Sequence, residues 1–227
     1  MRSETERQAA AGSFKAGAAG KGVNSESQRR LWRTAATLGR ERRQGKGLPV
    51  VWFVSDPDRT PDPVSIAGRL PAGTGIILRH FGRPEAGRWA DALADVAFRR
   101  GLVLLIAADP DLAAKVGAGG VHMPERMIGS LPRLRLRHPT WIVTASAHSL
   151  PALGRARLAG ADAALLSAIF PSRSASAGRP LGPIRLANAV RAAGVPVFAL
   201  GGVNADTAPR LIGTEVAGFA AVEAFGG

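Results

Sequence analysis

Residues 196–212 read PVFALGGVNADTAPRLI. Residues 196–200 form a short apolar run, Gly201 and Gly202 break it, and Asn204, Asp206 and Pro209 follow in the order that opens a helix. The segment predicts a buried strand, a Gly-Gly turn and a helix just beyond it. Glycine has no Cβ and reaches positive φ cheaply, so such a turn lets the backbone approach an anion. The N–H groups of a helix start would add to that attraction. The same two glycines also serve as a plain strand-to-helix turn, and the surrounding chain has to decide between the readings.

Working outward, short apolar runs alternate with Ala/Leu/Arg-rich stretches from Leu48 onward, the pattern of repeated βα units. Strands are expected at 49–54, 75–79, 102–107, 119–123, 141–145, 163–167, 196–200 and 218–222. The intervening stretches read as helices, several closing on glycine, as at Gly160 and Gly194. Apolar strands without strict alternation are buried on both faces, hence parallel and covered by helices. Eight such units predict an α/β fold, a (β/α)8 TIM barrel, over an open doubly wound sheet. No G-x-G-x-x-G follows the first strand, so a dinucleotide version of the open sheet has no support. The chain stops at Gly227, directly after the eighth strand, so the last helix is missing or truncated. Either the N-terminal Arg-rich helix or a partner chain in a homo-oligomer is expected to cover that side.

The chain has 227 residues, a net charge of +13 and no cysteine. Disulfides, thiolate metal sites and a cysteine nucleophile are therefore excluded, and a cytoplasmic protein is expected. No apolar run approaches the roughly 20 residues of a membrane helix, and the N-terminus is too polar for a signal peptide. Residues 1–47 carry 11 Lys/Arg against 4 Asp/Glu, about half of the charge excess. This segment reads as a basic, flexible extension preceding a barrel domain of residues 48–227. Within it Leu31, Ala35 and Leu38 share one helical face ringed by arginines, a face able to touch RNA or an acidic membrane. A nucleic-acid partner is not expected for the barrel itself.

Chemistry in a barrel belongs at the C-terminal strand ends, with phosphate usually held after the seventh and eighth. That rule collects Ser55, Asp56, Arg79, His80, Asp109, His122, Ser146, His148, Ser167, Ser172 to Ser174, Gly201, Gly202 and Glu223. His148 is the acid/base candidate, because imidazole exchanges protons near neutrality. Asp109 either binds a divalent cation or orients a ligand amine, or simply caps the helix that its DPD run begins. His122, inside a short strand, reads as a core residue before a ligand. Arg79 offers its guanidinium to a phosphate or carboxylate, or forms an ion pair at the barrel mouth. Residues 172–180, SRSASAGRP, have the composition of a lid with anion-binding hydroxyls, and equally of a plain loop.

Together GGVHMPE (119–125), TASAHSLPALGRARLAGADAALLSAIFPSRS (144–174), RPLGPIRL (179–186) and VPVFALGGVNADT (195–207) resemble the thiamine phosphate synthase/TenI family, in order and spacing. The resemblance runs from Leu48 to the end. It implies that Gly201, Gly202 and the turn after the eighth strand bind the phosphate of a thiazole phosphate ligand, with Arg79, Ser146, Ser172 and Ser174 as further substrate- or phosphate-binding positions. Synthases of this family join a pyrimidine pyrophosphate to the thiazole and release pyrophosphate to Mg²⁺ and basic side chains. Here the Gln-x-Arg-Glu-Lys of the second strand keeps only Arg79. The Asn-Asp pair becomes Ala108-Asp109, a second metal carboxylate aligns near Met127, and Thr-x-Thr-Lys becomes Ser172-Arg173-Ser174-Ala175. Glu223 stands where the family has a small serine. Asp109 is thus the one metal candidate left. TenI relatives isomerise a thiazole carboxylate phosphate by proton transfer without Mg²⁺, and the resemblance gives that role to His148. Pyrimidine–thiazole coupling and thiazole tautomerisation thus share one expected site, and the alternative is a non-catalytic ligand-binding paralogue that has lost the Mg²⁺/pyrophosphate site.

Overall fold

The computed structural model describes residues 26–42, 45, 47–172 and 178–226. Eight parallel strands close in chain order: β1 (Val51–Val54), β2 (Gly75–Leu78), β3 (Val103–Ala107), β4 (Gly120–Met123), β5 (Ile142–Ala147), β6 (Ala163–Leu166), β7 (Val197–Ala199) and β8 (Gly218–Ala221). The barrel shuts where Val51 and Trp52 of β1 lie beside Phe219 and Ala220 of β8. The expected fold class is the observed one, with strand edges shifted by a residue or two.

Burial on both faces explains why the strands do not alternate with polar residues. Trp52, Ile77, Leu105, Leu165 and Phe198 point into the barrel. Their neighbours Phe53, Ile76, Leu104 and Leu166 point outward against the helices. Trp52 fills the interior beside Gly75, its register partner on β2. A Cβ at Gly75 would lie 2.1 Å from the indole, so the large residue depends on the absent one. The Phe198 ring meets Trp52 edge-on at 6.2 Å.

The outer layer comprises α1 (Glu26–Glu41), α2 (Pro63–Ala67), α3 (Ala86–Arg100), α4 (Pro110–Lys115), α5 (Leu131–Arg137), α6 (Leu150–Leu158) and α7 (Gly182–Ala193). The segment before residue 48 contributes α1 to the barrel's wall. Leu31, Thr34, Ala35 and Leu38, spaced to share one helical face, are buried. The helix lies against β8 and the 3₁₀ turn Ala208–Leu211. Burying two leucines there contributes about 3–6 kcal/mol. Gln28 Nε2 donates to Ala224 O at 2.8 Å, and Trp32 and Phe225 rings lie 5.8 Å apart. No helix among the described residues is long and apolar enough to cross a membrane.

One expected helix is replaced by something shorter. After Gly202 the chain forms only the 3₁₀ turn Ala208–Leu211. Asn204 Oδ1 accepts from the N–H groups of Asp206 and Thr207 at 2.9 and 3.0 Å, and Thr207 Oγ1 donates to Gly202 O at 2.7 Å. The capping residues thus fold the segment back on the turn, and Gly213, at φ 79°, ends it before an α-helix develops.

Candidate active site

A cavity of about 410 Å³ opens at the C-terminal ends of the strands. The loops after β5, β6 and β7 bring His148, Ser167, Ser172, Gly201 and Gly202 to it. From the other side come Arg59 after β1, Arg79 after β2 and Glu223 after β8. Ser174 and Arg173 lie outside the described residues. Ser146 and Asp109 are not on this wall.

The Gly-Gly turn is fixed by the β6 loop. Ile169 N donates to Leu200 O and Phe170 N to Gly201 O, both at 3.0 Å. The approach is so close that a Cβ at Gly202 would stand 2.3 Å from Pro171 O, and one at Gly201 2.9 Å from Ala168 Cα. Both residues have positive φ, 91° and 67°. The turn therefore needs glycine for backbone packing as well as for any ligand. Gly201 O is used by the neighbouring loop and Gly202 O by Thr207 Oγ1, while among the described residues neither Gly201 N–H nor Gly202 N–H donates a hydrogen bond. Two adjacent unused donors at a cavity wall suit an oxyanion.

His148 sits on the exposed step between β5 and α6, where Ser149 caps the helix by accepting from Ala152 N at 3.3 Å. Its backbone N–H donates to Glu125 Oε2 at 3.0 Å, and Arg155 Nη2 holds the other oxygen of Glu125 at 2.6 Å. The imidazole Nδ1 is 3.1 Å from Ser167 Oγ. A hydroxyl both donates and accepts, so Ser167 supports either neutral tautomer of the ring. The arrangement can take a proton and return it.

His122 is a different histidine. Its Nδ1 lies 2.9 Å from Thr144 Oγ1 and its Nε2 2.8 Å from Ser146 Oγ, inside the barrel. Burial, aided by the Arg79 charge, lowers its pKa to about 3, so it stays neutral. Ser146, expected to face a ligand, is instead part of this layer because residues of β5 alternate in direction and its hydroxyl is paired with His122.

On the β1–β2 side, Arg79 Nε donates to Ser55 O at 2.8 Å and Nη2 to Asp56 Oδ2 at 2.9 Å. Arg59 Nη2 reaches the same Asp56 oxygen at 3.0 Å. Burial raises the Asp56 carboxyl, but the Arg59 hydrogen bond and the two guanidinium charges outweigh it and hold the group below its ordinary value. Burial lowers the Arg79 pKa, with Asp56 opposing.

The residues around Asp109 do not fit Mg²⁺, which takes about six oxygens in near-octahedral geometry. Asp109 Oδ1 accepts from Leu112 N at 2.9 Å as the cap of α4. Its Oδ2 faces His80 Nε2 at 3.7 Å. Gly82 N donates to His80 Nδ1 at 3.2 Å, so the ring proton is on Nε2, which is no metal ligand in that form. Among the described residues no three His, Asp or Glu side chains gather as a metal site.

Two residues that shape the cavity's surroundings escaped the sequence reading. Arg59 lies in the loop SDPDRTPDP, where its i, i+3 spacing from Asp56 was the available signal. Glu125, within the motif HMPE, has a partner 23 residues away, which no local pattern reveals.

The family model described as thiamine monophosphate synthase (TMP-TENI) matches residues 61–225. The chain is 33% identical over 181 residues to a thiamine-phosphate synthase of Chlorobium luteolum, covering 78% of this chain and 84% of that one. A thiamine-phosphate synthase of Methylococcus capsulatus is 31% identical over 193 residues, with 79% and 81% covered. Among solved structures, thiamine phosphate pyrophosphorylase from Pyrococcus furiosus is similar with a TM-score of 0.69 at 26% identity, covering 79% of this chain and 88% of that one.

Proposed function

Because this chain belongs to the thiamine monophosphate synthase (TMP-TENI) family, we propose that its cavity binds a phosphorylated thiazole and that His148 moves a proton on the bound ring. The phosphate rests on the N–H groups of Gly201 and Gly202, with Ser172 and the cationic wall of Arg59 and Arg79 nearby. The observation that carries this reading is the pair of unused donors on the same cavity as a positioned imidazole.

Isomerisation of the ring asks little of the protein. Neutral His148 removes a proton from one ring atom and becomes imidazolium, then returns a proton at another, with no net change in atoms or charge. Electron density left on the ring between the two transfers is favoured by Arg59 and Arg79. Ser167 keeps the imidazole aligned through both half-steps. Coupling to a pyrimidine would require neutralising a departing pyrophosphate, and the Asp109 corner supplies no fitting metal site for it. Isomerisation is therefore placed ahead of coupling. His148→Ala should abolish most turnover in assays of both reactions; unchanged turnover in both would refute the role.

A second reading, ligand binding without turnover, is favoured by Glu223, which lines the cavity just after β8, the strand next to β7 and its Gly-Gly turn. It predicts binding that strengthens in Glu223→Ser and no product. Product above a heat-killed control removes it.

A further inference from the structure

The loop after β4 ends the stretch GGVHMPE with a carboxylate that neither phosphate binding nor proton transfer uses directly. Pro124, at φ −61°, leads the chain out of β4, and Glu125 opens the 3₁₀ turn Glu125–Ser130. Ile128, 4% exposed, seats that turn in the core, and Ser130 Oγ closes it by donating to Met127 O at 2.7 Å. The turn lies against both β5 and α6. Glu125 is therefore fixed at the junction of the strand and the helix between which His148 stands.

The carboxylate divides its two oxygens. Strand β5 ends at Ala147, and the N–H of the next residue, His148, goes to Glu125 Oε2 at 3.0 Å. Oε1 accepts from Arg155 Nη2 of α6 at 2.6 Å. The Glu125 side chain is 26% exposed and that of Arg155 53%, so Glu125 is the fixed member of the pair. Opposite charges meet at Oε1, and Glu125 acts on His148 as a placed acceptor rather than as a net charge. His148 is thus held at its backbone by Glu125 and at its ring by Ser167, while Ser149 caps the helix that follows.

We propose that Glu125 is the positioning residue of His148: it fixes the backbone from which the imidazole hangs, and so sets where the ring stands at the cavity. This assignment rests on the acid/base reading of His148 above. A side chain follows any displacement of its own backbone, and a misplacement of about 1 Å at the reacting atoms costs up to about 100-fold in rate. Water can take the His148 N–H when Glu125 is gone, but water does not hold it in one place. Glu125 itself does not line the cavity, and the phosphate has its donors on the β7 loop. Its loss therefore falls on the rate of proton transfer and spares ligand affinity.

The test is turnover of a thiazole carboxylate phosphate by the full chain and by two variants. Glu125→Ala should lower kcat about 10-fold and change KM by less than about 2-fold. Glu125→Gln, whose Oε1 still accepts the His148 N–H while the exposed Arg155 turns to water, should keep kcat within about 3-fold of the unaltered chain. An unchanged kcat in Glu125→Ala, a loss carried by KM instead, or equal losses in both variants overturns the proposal. If the unaltered chain does not turn the compound over, the reading of the previous subsection fails, and the imidazole of His148 then judges Glu125 alone. With ¹⁵N-labelled histidine at about pH 8.5, where free imidazole is neutral, the Nδ1 resonance of His148 should move in Glu125→Ala and stay in place in Glu125→Gln. Any other pattern rejects the role. Thermal melting of each variant verifies that it is folded.

Discussion

The two sides of the barrel mouth carry similar polar residues and use them in opposite ways. On the β5–β8 side the carbonyls of Leu200 and Gly201 are taken, while among the described residues the N–H groups of Gly201 and Gly202 find no acceptor. On the β1–β3 side the groups expected to meet a ligand are engaged internally. Arg79 is tied to Ser55 and Asp56, and Asp109 caps α4. Residue type alone therefore does not mark a site at a barrel mouth; unspent hydrogen-bonding capacity facing a cavity does.

The most severe way to disturb the contrast is Gly202→Ala. The added Cβ would meet Pro171 O at 2.3 Å at a φ of 67°, so about 3 kcal/mol of stability should be lost, measurable by urea unfolding. Phosphate-dependent ligand binding should go with it. His148→Ala is the complementary change: a turnover loss of roughly 100-fold or more with stability nearly unchanged, because the side chain is exposed and acts on the ligand. Kinetics and melting on one preparation separate the two effects.

A third prediction concerns pH. The folded-state pKa of His122, about 3, lies below the ordinary 6.5, so the unfolded chain binds the extra proton first as pH falls. Stability is fully kept above about pH 6.5 and declines toward pH 3, this group contributing a slope of about 1.4 kcal/mol per pH unit within that window. His122→Gln, which can still bond Thr144 and Ser146, should flatten that slope in denaturation series between pH 4 and pH 6. The smallest effect is expected at the ion pair of Arg30 and Asp206, 3.2 Å apart and largely exposed. Arg30→Ala should cost less than about 0.5 kcal/mol, since salt and water screen such pairs.

These differences also explain what the sequence conveyed. The barrel was readable because doubly buried strands such as Val51–Val54 leave continuous apolar runs, and the caps at Asp109 and Ser149 are local signals. His148 and the Gly-Gly turn stood out for the same local reason. The 3₁₀ turn after Gly202 was not readable, because Asn204 and Thr207 cap an α-helix and a folded-back loop with the same atoms. For the end of the barrel the sequence left two covers open, the Arg-rich helix or a partner chain, and contacts across nearly the whole chain, such as Gln28 with Ala224, put α1 there. Ser146 looked available because a strand residue's direction becomes fixed only when its partner, His122, is known. Arg59 was hidden behind Arg79: the sequence offers both, and only geometry shows which one is already occupied.

The central claim is that the backbone donors of Gly201 and Gly202 receive a ligand phosphate. Amide chemical shifts of a ¹⁵N-labelled sample, followed during titration with a thiazole phosphate and separately with its unphosphorylated alcohol, test it most directly. Saturable shifts at Gly201 and Gly202 with the phosphate, and none of comparable size with the alcohol, are the predicted result. Identical responses to the two compounds, or shifts confined to other parts of the barrel, would contradict it.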